Sequence, residues 1–495
     1  MKRACILKHM PFPLIWKEYI FVASIVAILN VLFCRNYLIS IGITLIEILI
    51  LMFLLLINNV INFYCFYSIF SALSMEFEFY VGTDEVYGFR KFDFCGINIS
   101  VWILLIFVCF LIITRGYRFF KAKYVSRHVY YFCVILFSLF WLSIVTGVVG
   151  VLCNDNDIIY LENFKYKFIL ELYGLMLPNL VSICLVFLVS YKQKFIAHLK
   201  YALISILWGI ALQIFTSFLF RVYGMYGSNL TLLSSTAIIL LPFILIFPYY
   251  EINISKTMLA LSFLGVFLNL AYSASGKYIL TLCLVGFLLI FVLIKNKKYL
   301  NICILVFFGI IILIFLGEQI KNVLENNDLF KEKLNQVISM LTFWKENWLR
   351  DMMPSPQIRI LEVMNTLLEY ESKPWFLLLG KGINGSFSDH MELMKFVSDA
   401  YTNEEWANNL FIGVHGTFTK LLLVNGLLGV LLYLYTLFLL FKYWRQSIWL
   451  VIGVYWFSLF YGYSLSLTMI GFSSLMIGLY DIDLKRNDSY ENIVC

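Results

Sequence analysis

The stretch IGVHGTFTKLLLVNGLLGV, residues 412–430, sets an imidazole, His415, immediately ahead of a long apolar run interrupted by glycines. An imidazole titrates near neutral pH and is the side chain used most often to take or give a proton in catalysis. His390 is the other histidine in this part of the chain, and no H-x-x-x-H or H-E-x-x-H spacing occurs, so no metal site is expected. The chemistry left to His415 is acceptance of a proton from a hydroxyl. The competing expectation is a structural histidine held by a backbone carbonyl.

Three further segments carry residues of the same interest. In SPQIRILEVMNTLLEYESKPW (355–375), Ser355 can cap a helix, Pro356 suits its first position, and Ile358, Leu361, Met364, Leu367 and Leu368 form an apolar face. Arg359 then falls near the first turn, where a cation opposes the helix dipole. It is explained there if an anion docks between the guanidinium and the helix N–H groups. Pairing with Glu362 or Glu369, or plain solvation, is the alternative. In LLLGKGINGS, Gly380, Gly382 and Gly385 mark a tight turn where backbone approaches backbone or a ligand. In LAYSASGKYIL, Lys277 sits between two apolar runs, either snorkelling to an interface or gripping a bound group.

These residues need elements to hold them, and the composition says which kind. Of 495 residues 62% are hydrophobic, 18% aromatic and only 14% charged, more apolar surface than a soluble domain can hide. Apolar runs near 16–34, 38–56, 59–74, 98–114, 129–152, 168–190, 201–221, 230–248, 257–274, 278–294, 299–317, 417–441, 447–464 and 466–481 are each about long enough to cross hydrocarbon as helices. The expected fold is an all-α polytopic membrane protein of about 12–14 transmembrane helices. The net charge of +7 fits basic loops on one side of a membrane and does not point to nucleic acid. The eleven cysteines are scattered without a C-x-x-C pair and read as small core hydrophobes. The first run lacks a small-residue cleavage site and is expected to be a retained span.

The stretch 37–74 could be one long helix or two turning at Asn58-Asn59. The basic segment RGYRFFKAKYVSRH (115–128) decides for two, because one helix would put it outside. In that register Lys192, Lys194, Lys295, Lys297 and Lys442 face the cytoplasm, as do both termini. The chain order is then eleven spans over 1–317, a large external loop over 318–416, three spans over 417–481 and a cytoplasmic tail over 482–495. The loop is neither low-complexity nor Pro/Gly-rich. Ile320, Leu324, Phe330, Leu334, Val337, Ile338 and Leu341 recur at helical spacing, and Trp344, Trp348 and Trp375 suit a membrane interface. It reads as a folded, mostly helical cap.

In order and topology the pieces SASGK (273–277), SPQIR (355–359), GKG (380–382) and VHGTFTKLLLVNGLLG (414–429), followed by two more spans, resemble the O-antigen polymerase and O-antigen ligase superfamily of bacterial envelope enzymes. The resemblance covers about 270–440. It implies a glycosyltransferase of the bacterial inner membrane that joins undecaprenyl-diphosphate-linked oligosaccharide repeat units at the periplasmic face, inverting and without metal or cofactor. Carried over, Arg359 and Lys277 contact the diphosphate and His415 deprotonates an acceptor hydroxyl. Arg350, Gly380 and Gly382 are further candidates for diphosphate or glycan contact. Lys277 stands where an arginine is usual, which keeps charge but loses a bidentate contact. Gly416 stands where the ligase branch often has asparagine, which favours a polymerase over a ligase handing glycan to lipid A core. Expected partners are the lipid-linked glycan and the bilayer, with room for a chain-length regulator and none for nucleic acid. A flippase would carry ionisable residues within its spans, where Glu47 and Glu171 are the exceptions found here. A metal-dependent glycosyltransferase would want an early external acidic pair such as Asp84-Glu85.

Overall fold

The computed structural model describes residues 13–74, 87–89, 92–94, 97–119, 127–152, 192–220, 344, 347–352, 354–383, 385–394, 401, 403–412 and 414–441, with single positions at 294, 299, 303 and 335. Among them the chain is mostly helical: α1 (Pro13–Phe33), α2 (Tyr37–Leu56), α3 (Val60–Leu73), α4 (Ile99–Phe119) and α5 (Arg127–Leu152). Then come α6 (Lys192–Leu219), α7 (Pro354–Glu371), α8 (Pro374–Leu379), α9 (Asn403–Asn408) and α10 (Thr417–Phe441). One antiparallel hairpin, β1 (Asp93–Phe94) with β2 (Ile97–Asn98), precedes α4. The chain divides into two compact units: Met1–Val129, Leu180–Ser273 and Gly471–Cys495 form one, Tyr130–Asn179 and Ala274–Ile470 the other.

In the first unit the stretch 37–74 is two helices. Asn58 turns the chain with a positive φ of 55°, a conformation asparagine tolerates. Asn59 caps α3, its side chain accepting the Asn62 N–H at 3.4 Å. Two polar layers fix how α1, α3 and α6 lie together. At one end Tyr19 Oη donates to Asn62 Oδ1 (2.7 Å) and sits 2.8 Å from His198 Nδ1. At the other, Asn30 and Gln213 both donate to the Leu73 carbonyl, at 2.8 and 2.6 Å. The two layers follow the same order along each helix, so all three run in one direction. The return of α2 between α1 and α3 requires this of the first two. α3 is buried nearly all round, with Phe63 stacked on Phe107 of α4 at 4.2 Å.

Helices α2 and α10 are long and apolar enough to cross a membrane. α2 exposes Leu38, Leu45, Leu49, Phe53 and Leu56 while burying Ser40, Thr44 and Glu47. Apolar side chains outward and polar ones inward is the order expected where lipid replaces water. Cys34 and Cys65 are buried as small hydrophobes, whereas Cys109 and Cys303 are exposed, and all four are free thiols. The expected runs at 168–190, 230–248, 257–274, 447–464 and 466–481, the basic loop residues 120–126, and the apolar positions from Ile320 to Leu341 lie outside the described residues, as do those at 278–294 and 299–317 apart from Ile294, Tyr299 and Cys303.

In the second unit, α10 is broken at Gly426, whose φ of 61° and ψ of −162° leave the helical region. A break strips carbonyls just ahead of it of their i+4 partners, and buried carbonyls must find others. The G-K-G turn supplies them. Lys381 N–H donates to Leu423 O at 2.8 Å and Gly382 N–H to Val424 O at 3.0 Å. Tyr370 Oη reaches Leu422 O and Leu423 O at 2.9 and 3.0 Å. Ile383 N–H continues to Ser143 O of α5 at 3.0 Å, and Asn425 Nδ2 donates to Leu139 O at 3.0 Å. The turn therefore stitches α5 to both halves of α10. Ile358, Leu361, Phe387, Met394, Tyr401 and Phe411 form a core of their own, closed by Leu423 from α10.

Candidate functional site

α7 starts at Pro354, one residue before the expected cap: Ser355 is its second residue and Pro356 its third. Both prolines fall in the first turn, where a missing N–H removes no helix bond. Gln357 Nε2 donates to Leu349 O at 3.0 Å, fixing the preceding turn against the start of the helix. Arg350 stands exposed on that turn. Trp344 and Trp375 are also largely exposed.

The buried face of α7 is not the expected apolar one. Ile358 and Leu361 are buried, but Met364, Leu367 and Leu368 are exposed, while Gln357, Glu362, Asn365 and Thr366 are buried. The helix is rotated by about a quarter turn from the orientation that its apolar residues alone would choose. Polar partners decide this. Asn365 Oδ1 accepts Met391 N–H at 3.1 Å and its Nδ2 donates to Asp389 at 3.2 Å, clamping the 389–391 turn to the helix.

Glu362 is the centre of the site. Its side chain is 0% exposed, and Oε1 lies 2.6 Å from His415 Nδ1. The backbone N–H of His415 also donates to it, at 3.0 Å to Oε2. Tyr401 Oη donates to Oε1 at 2.8 Å. Burial, and then the facing Glu362 carboxylate, push the Tyr401 phenol above its usual range, so it stays a donor. His415 is 39% exposed, with its ring edge-on to Tyr401 at 5.9 Å. A buried carboxylate on Nδ1 fixes the tautomer that carries its proton there and leaves the Nε2 lone pair outward. The carbonyl-held alternative for His415 gives way to a carboxylate-held one.

Arg359 lies one turn before Glu362 on the same side of α7. Among the described residues it pairs with neither Glu362 nor Glu369, since those carboxylates are taken by His415 and by Lys381 with His390. Arg359 Nε is buried and has no hydrogen-bond partner among the described residues. A buried, unsatisfied guanidinium N–H is uncommon and is suited to an anion that brings its own acceptors.

The structure gives Gly380 and Gly382 a different place from the ligand-facing one. Both have positive φ, 74° and 78°. A Cβ on Gly380 would strike the backbone of Val424, and one on Gly382 the backbone of Gly147. Their N–H groups are spent on Phe376 O and Val424 O. They serve backbone-to-backbone packing, with no amide left for a phosphate. Lys277 lies outside the described residues. Arg359, His415 and, by its anchored turn, Arg350 belong to the second unit. No group of three metal-ligating side chains occurs among the described residues.

Sequence reasoning did not single out Tyr401, nor Glu362 as the partner of His415. The signal available was Glu362 itself, an acid in the middle of an otherwise apolar stretch of helix. Compared with known proteins, the chain matches no family model, no curated protein and no solved structure.

Proposed function

We propose that this chain is a membrane glycosyltransferase that polymerises polyprenyl-diphosphate-linked oligosaccharide repeat units at the external face of the bacterial inner membrane. The observation that carries the reading is the half-exposed His415 imidazole held at Nδ1 by the fully buried Glu362. A base oriented this way can take the proton of a sugar hydroxyl as the oxygen attacks an anomeric carbon. The C–O bond to the lipid diphosphate breaks with inversion, and the diphosphate leaves with the electron pair. Arg359, with its unpaired buried N–H, stabilises charge gathering on the leaving diphosphate. Lys277 and Arg350 are the further cations assigned to it. The sugar is already activated, so neither metal nor nucleotide enters the step. A ligase would use the same site and differ in its acceptor, lipid A core.

Deleting the gene should replace a ladder of surface glycan lengths by single-repeat caps. Arg359→Ala and His415→Ala should do the same while the protein remains in the membrane. Normal ladders from both variants refute the site.

A second reading, a lipid-linked oligosaccharide flippase, draws on Glu47. This carboxylate is buried on α2 with neither oxygen hydrogen-bonded among the described residues. Purified protein in liposomes separates the two: a flippase moves the lipid across, a polymerase lengthens the glycan.

A further inference from the structure

α7 carries a second carboxylate–imidazole pair that the reaction above does not use. Seven residues after Glu362, Glu369 Oε2 lies 2.7 Å from His390 Nε2. Oε1 of the same carboxylate takes Lys381 Nζ at 2.9 Å, and the Ser388 N–H donates to Oε2 at 3.3 Å. Lys381 is 4% exposed and His390 41%. The imidazole is thus the outward end of a relay whose inner end is an ammonium in the stitched turn. Its Nδ1 has no partner among the described residues.

The turn bearing His390 is held in place as a binding surface must be. Asn365 grips it from α7, Asp389 accepts the Met394 N–H at 2.9 Å, and the Asp389 N–H donates to Asn409 Oδ1 at 3.2 Å. Glu392 and Asn409 on its rim are both exposed with positive φ, 55° and 49°. Asparagine tolerates such a conformation, whereas a glutamate keeps it only where its surroundings impose it.

The order along the helix says what this surface faces. Seven residues bring Glu369 back to the side of Glu362, about 10 Å further along the axis, roughly the length of two linked sugar rings. Arg359 lies in the opposite direction. The diphosphate end of the site is therefore before Glu362 and the His390 end beyond it. We infer that His390, with Glu369, Asp389 and Asn409 around it, forms a subsite for the oligosaccharide of the acceptor repeat unit, hydrogen-bonding its hydroxyls one or two sugars away from the one that reacts. The inference rests on the polymerase reading for its direction along α7, while the binding itself is independent of turnover.

The test uses the full chain in lipid nanodiscs. The probe is the free oligosaccharide released by mild acid from the lipid-linked units that accumulate when the gene is deleted. Binding is followed by saturation-transfer NMR and by calorimetry. His390→Ala should weaken binding at least tenfold. His390→Gln, which keeps a hydrogen-bonding end, should restore part of it. Arg359→Ala should leave the affinity for this diphosphate-free probe unchanged. Equal affinity in wild type and His390→Ala, or no binding to the wild type, overturns the subsite. Should binding depend on His390 while Arg359→Ala and His415→Ala still build normal ladders, the subsite stands and the polymerase mechanism falls.

Discussion

Glu362 and His415 are separated by 53 residues of chain, yet their side chains meet at 2.6 Å, and the His415 backbone N–H donates to the same carboxylate. The carboxylate therefore fixes both the ring and the main chain that carries it. Replacing Glu362 by Gln keeps its shape but removes the charge and turns one of its two accepting oxygens into a donor that faces a His415 N–H. Glycan elongation should fall ~10²–10⁴-fold, the usual worth of a positioned base. Ladder length on gels and initial rates with lipid-linked repeats check this, with membrane protein level as the control.

Tyr401 touches the same carboxylate oxygen as His415. Tyr401→Phe removes one charge-assisted hydrogen bond, typically worth about 1.5–3 kcal/mol. The rate should drop by roughly ten- to a hundredfold while the ladder still forms. An unchanged rate would reduce Tyr401 to packing.

The stitched break makes a stability prediction with an internal control. Gly382→Ala forces a Cβ into the Gly147 backbone at a positive φ, and the protein should fail to accumulate in the membrane. Gly416→Ala, beside His415, meets among the described residues only Thr419 Oγ1 at 3.6 Å and should accumulate normally. Immunoblots of membrane fractions decide between them.

Tyr370→Phe leaves the Leu422 carbonyl at the break without its hydroxyl donor. Losing one such buried hydrogen bond costs about 0.5–1.5 kcal/mol. The detergent-solubilised protein should melt several degrees lower. Phe at this position retains the ring contact with Phe376, at 6.1 Å, so a loss seen here belongs to the hydroxyl.

Burial opposes ionisation of Glu369, but Lys381 beside it, with hydrogen bonds from Lys381, His390 and the Ser388 N–H, outweighs burial and holds the carboxyl below its usual range. The folded carboxyl is then the stronger acid. Its stabilisation is fully present above the ordinary glutamate value, about 4.3, and disappears as pH falls through the folded value. Between neutral pH and about 5 the 385–394 turn should resist proteolysis, and at lower pH it should be cut. Glu369→Gln should be cut at all these values, so a wild-type turn that opens equally at pH 7 contradicts the clamp.

How much of this was legible beforehand differs between elements and site. The helices over 37–56, 60–73, 127–152 and 417–441 fall within a residue or two of the apolar runs. Run length and the capping asparagines at 36 and 59 are local properties, and local chemistry decides where a helix starts. The glycines at 380, 382 and 426 announced backbone in unusual conformations, though not what that backbone would meet.

The sequence by itself determined the helices, their apolar character and the residue types able to do chemistry. It did not determine which side of α7 faces inward. That choice rests on Glu362, Asn365 and Glu369 finding partners 24 to 53 residues away or in the clamped turn, and on Tyr370 and the G-K-G turn meeting carbonyls that exist only because α10 breaks. A buried polar group is stable only once its distant partner arrives, and no local pattern of residues encodes that arrival.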